Sequence, residues 1–77
     1  MSKEEKAKML LEVYEHEKMR LVTEYKTKSD TIHLVNAHSN AEKEMLGQKI
    51  AEVNNWYEEE LKKIEHRFLK AILQMEG

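Results

Sequence analysis

Nine apolar residues in the second half of the chain fall on one helical ladder: Leu46, Ile50, Val53, Tyr57, Leu61, Ile64, Phe68, Ile72 and Met75. Steps of three and four keep all nine within an arc of roughly 100° at about 100° per residue. The intervening positions are mostly Glu, Lys, Asn, Arg and Gln. The pattern predicts a long amphipathic helix that lays one face against another surface.

The first half carries a matching, weaker stripe. A heptad runs through Ala7, Leu11, Tyr14, Lys18, Leu21, Tyr25, Lys28, Ile32 and Val35, with Leu10 and Val22 flanking it on either side. Lys18 and Lys28 interrupt the stripe; their aliphatic stems can lie along a seam while the ammonium groups reach water or glutamates. Ser2 followed by Glu5 forms a capping box at the start. Thr27–Thr31 is a soft stretch of β-branched and cap-type residues, but the heptad crosses it in frame.

The turn is placed at the polar midpoint, Asn36-Ala37-His38-Ser39-Asn40, where Ser39 and Glu42 form a second capping box. The expected organisation is one all-α domain, an antiparallel αα-hairpin: helix about 3–36, turn about 37–40, helix about 41–75. Each helix would be about 50 Å long. Two alternatives stay open: a break at Ser29–Thr31 giving three helices, and one continuous helix. The two capping signals and the polar midpoint favour the hairpin. With a turn near 38–39, facing residues have numbers that add to about 77. That register pairs Tyr14 with Ile64, Leu21 with Tyr57, Tyr25 with Val53, Ile32 with Leu46 or Met45, and Lys18 with Glu59.

The apolar surface exceeds what one seam can cover. Met9, Leu10 and Val13 lie off the first stripe, and Leu69 and Leu73 widen the second beside Phe68 and Ile72. Both groups sit at the open end of the hairpin, where two hairpins could join as a homodimeric four-helix bundle or a different protein could dock. Trp56 lies about 110° from the centre of its ladder. It either meets a partner, as tryptophan does at binding hot spots, or edges into the seam or onto a lysine or arginine stem. The interface expected from sequence is therefore Met9, Leu10, Val13, Trp56, Phe68, Leu69, Ile72 and Leu73.

Composition narrows the function further. The 77 residues include no proline, no cysteine and two glycines; 36% are charged and the net charge is −2. Interleaved charge of both signs argues against broad binding to nucleic acid or to a membrane surface. Without cysteine there is no disulfide or thiolate site. No apolar run has the length of a membrane span. The N-terminal residues lack the apolar core of a signal peptide, and cytoplasmic residence is expected.

Candidate chemistry is sparse. Glu12 and His16 are spaced i, i+4, but the Glu-x-x-His motif of a bundle metal site is absent; His16, His33 and His66 lie off the apolar faces and His38 falls in the predicted turn. Glu58-Glu59-Glu60 reads as a solvated face paired with Lys62 and Lys63. Lys62, Lys63, His66, Arg67 and Lys70 share a face, the best candidate for nucleic acid, with Glu12 and Glu15 expected opposite. Gly47 either allows close approach of the facing helix or marks a frayed start.

The expectation is a protein that is not an enzyme and uses no cofactor, metal or small-molecule substrate. It would act as a regulator, adaptor or inhibitor by binding protein, as a homodimer, on a protein partner, or both. The alternative is a nucleic-acid-associated helical protein using the Lys62–Lys70 face.

Overall fold

The computed structural model describes residues 2–76, with side chains through Met75; Met1 and Gly77 lie outside the described residues. It is an all-α hairpin of two helices, α1 (Lys3–His33) and α2 (Asn40–Glu76), packed side by side. Neither the three-helix nor the continuous-helix arrangement is adopted.

Both helix starts follow the capping boxes. The Ser2 hydroxyl accepts a hydrogen bond from the Glu5 amide at 3.2 Å. The Ser39 hydroxyl accepts from the Glu42 amide at 3.2 Å, and the Glu42 carboxylate accepts from the His38 amide at 3.0 Å. Each cap satisfies amides that have no partner inside the helix. The soft stretch in α1 stays helical. Thr23, Thr27 and Thr31 each donate a hydroxyl hydrogen bond to the carbonyl four residues back, at 2.9, 3.0 and 2.8 Å. The hydroxyls that compete with helical structure elsewhere are thus absorbed along one exposed row.

α1 ends at His33, three residues before the expected position, and the register differs too. Tyr14 stacks on Phe68 and Tyr25 packs against Tyr57, with ring centroids 4.5 and 4.7 Å apart; both pairs have numbers adding to 82 rather than 77. The shift of about five residues displaces the expected partners of Tyr14 and Tyr25. Tyr14 meets Phe68 instead of Ile64, and Tyr25 meets Tyr57 instead of Val53 while its hydroxyl donates to Asn54 Oδ1 at 2.7 Å.

The reason is unequal helix length. α1 has 31 residues and α2 has 37. With Tyr14 level with Phe68, the open ends are nearly flush, so residues 40–48 of α2 overhang the end of α1 by about 13 Å. Residues 34–39 must climb that distance, which six extended residues can do at up to about 3.3 Å each. Ending α1 early releases those residues. Ala37 in the connector and Leu46 in the overhang are both half-buried.

The seam is narrow. None of the nine ladder residues of α2 is exposed, whereas Leu11, Lys28 and Val35 of the α1 heptad are, and Leu10 is more covered than Leu11. Among the described residues only Leu21 and Ile64 are buried, at 6% exposure each, and they mark the middle of the contact. The hairpin is a flat slab with Cα extents of 60 × 18 × 7 Å.

Candidate interaction surfaces

A flat two-helix slab has two broad faces, and the surplus apolar residues divide between them. On the first face, shallow grooves between the helices bring Leu10, Val13 and Glu17 of α1 beside Arg67 and Ala71 of α2. The same face continues through Arg20, Glu24, Glu60 and Trp56. At its open end Met9, Leu10, Val13 and Met75 line an apolar depression beside Lys6. On the second face, Glu15, Lys18, Met19 and Val22 of α1 lie together. By the same 100° periodicity, Leu11 of α1 and Glu58, Leu61, Glu65, Leu69 and Leu73 of α2 belong to that side.

The open end is therefore apolar on both sides rather than in one patch. Met9, Val13, Leu69 and Leu73 are 50, 55, 58 and 67% exposed. The first two belong to one face and the last two to the other. Leu10, Phe68 and Ile72 are half-buried, with Phe68 engaged by Tyr14. Leu11, at 44% exposure, together with Met19 and Val22 adds surface outside the interface expected from sequence. The signal was the adjacent Leu10-Leu11 pair, since only one of two neighbours 100° apart can centre on a narrow seam.

Trp56 is half-buried, and the Lys28 ammonium sits 3.9 Å from the centre of its ring. Lys18 Nζ lies 5.0 Å from the Tyr14 ring centre. Both lysines that interrupt the α1 stripe thus cover aromatic rings from the seam edge, a cation–π arrangement. The expected Lys18–Glu59 pairing does not form; in the observed register Glu59 lies about five residues away.

The basic face is partly neutralised. Arg67 pairs with Glu17 across the seam at 3.3 Å, and Lys63 pairs with Glu60 at 3.2 Å. The acid across the seam is Glu17, in place of the expected Glu12 or Glu15. Among the described residues these are the two ion pairs, and no three His, Asp or Glu side chains converge as a metal site would require. Among the described residues no helix is long and apolar enough to cross a membrane.

Gly47 is helical, and a Cβ built on it meets nothing within 4 Å. It lies in the overhang, beyond the end of α1, so no facing helix approaches it. The chain matches no protein-family model, no curated protein and no solved structure.

Proposed function

We propose that this protein is a small non-enzymatic interaction module, a regulator, adaptor or inhibitor that acts by binding protein. One observation carries the reading. Among the described residues two are buried, while ten large apolar side chains are at least 44% exposed. A hairpin with so thin a core gains little from folding alone. Covering those side chains would add the missing apolar burial at roughly 25 cal/mol per Å².

The accessible surface agrees. A compact 9.2 kDa chain would expose about 4,900 Å² by the usual size scaling. This one exposes 6494 Å². The excess of roughly 1,600 Å² is about twice what a standard interface removes from one partner, about 800 Å², so the hairpin has surface enough for one such interface. The absence of cysteine suits residence in the reducing cytoplasm.

The test is affinity capture from native extract with mass spectrometry, paired with sedimentation of the pure protein. The wild type is compared with Val13→Lys on the first face and Leu69→Lys on the second. The reading expects at least one specific association, to itself or to another protein, that one variant abolishes and the other spares. If neither variant alters any association, the reading fails.

A further inference from the structure

The second face carries a charge pattern that fits a copy of itself. We propose that two hairpins stack through the Leu11–Leu69–Leu73 face into a four-helix bundle, with open ends together and the dyad parallel to the long axis. The proposal rests on the interaction-module reading and names its partner as a second copy of this chain.

The Tyr14–Phe68 and Tyr25–Tyr57 contacts serve as level marks along the slab. A dyad along the long axis lays α1 of one copy over α2 of the other at the same level. Leu11 then falls between Leu69 and Leu73, and Val22 falls within one residue of Leu61. Lys18 falls within one residue of Glu65, and Lys26 within two of Glu58. Apolar thus meets apolar and cation meets carboxylate at these levels, while Glu15 of the same face falls within two residues of Glu65 as a like-charge approach. Among the described residues, none of Lys18, Lys26, Glu58 and Glu65 is engaged in an ion pair within the hairpin.

Other arrangements have a less favourable balance of charge. The same stacking through the first face sets Arg20 within one residue of Lys63 and Glu24 within two of Glu60. Turning one copy end for end on the second face, with Leu11 over Val22, sets Lys18 opposite Glu15 but brings Glu65 against its own counterpart and leaves Glu58 without a cation. Exposed ion pairs contribute little affinity, but like-charge contacts select orientation and partner. The slab face of 60 by 18 Å is large enough for a standard interface of about 800 Å² per partner.

The experiment is sedimentation over a concentration series, with pulsed dipolar distances between spin labels at Asn36→Cys. A dimer is expected, with labels within about 25 Å because both turns lie at one end and neighbouring helix axes are 8–10 Å apart. Leu69→Lys is expected to give monomer, while Val13→Lys leaves the dimer intact. Lys18→Glu should weaken the dimer roughly tenfold, each contact occurring twice, and adding Glu65→Lys should restore it. A monomer at all concentrations overturns the proposal while leaving capture of another protein to support the interaction-module reading. A dimer broken by Val13→Lys and not by Leu69→Lys overturns it too, as do label distances near the 60 Å length of the slab.

Discussion

The middle of the seam and its turn end are built from the same ladder but hold the fold differently. In the middle, Leu21 and Ile64 are buried between two aromatic contacts, Tyr14 on Phe68 and Tyr25 on Tyr57. At the turn end, Leu34 and Val35 are 82 and 54% exposed, Met45 is 61% exposed, and nothing lies within 4 Å of where a Cβ of Gly47 would sit. The periodicity of α2 is unbroken across both regions. What differs is whether α1 stands alongside. An amphipathic stripe supplies a surface to bury, and burial itself requires a partner of matching length.

The largest effect that would test this contrast is loss of the central pair. Leu21→Ala or Ile64→Ala should cost about 2–5 kcal/mol, the range for emptying a buried aliphatic site. On so thin a core that should unfold most of the population, seen as loss of helical circular dichroism at 25 °C. Leu46→Ala, in the overhang, should cost clearly less by chemical denaturation. Equal losses at the two ends would break the comparison.

Gly47→Ala should move stability the other way. Interior glycine costs about 1 kcal/mol relative to alanine in a helix, and the added methyl meets no obstacle here. The denaturation midpoint should rise; a fall would show that something packs against Gly47 after all. Ser39→Ala should cost about 1 kcal/mol by removing the cap of α2. Because that cap sits at the end of the overhang, amide exchange should quicken in residues 40–48 more than around Ile64. The smallest effect belongs to the Glu17–Arg67 pair. A double-mutant cycle with Glu17→Gln and Arg67→Gln should return less than about 1 kcal/mol, and less again in high salt, because both side chains are at least a third exposed.

Much of this was legible in the sequence. The two serine caps and the nine-rung ladder each follow from spacing within one helix, and the structure keeps them. The register was not legible, because two long apolar stripes match in several alignments. The expected sum of 77 assumed helices of equal length joined by a tight turn. The surplus residues at the open end were found, but Met9 and Val13 were grouped with Leu69 and Leu73 although the slab separates them. Leu11 was placed in the seam, where Leu10 is the better covered of the two.

The sequence by itself determined the helices, their starts and the rows of side chains along each, because 100° per residue is a property of the local backbone. Tertiary structure alone decided which rows meet, where α1 stops and which face each surplus side chain joins. Those outcomes depend on a few interlocking rings and on the distance the connector must climb, and neither is encoded in the spacing of any one helix.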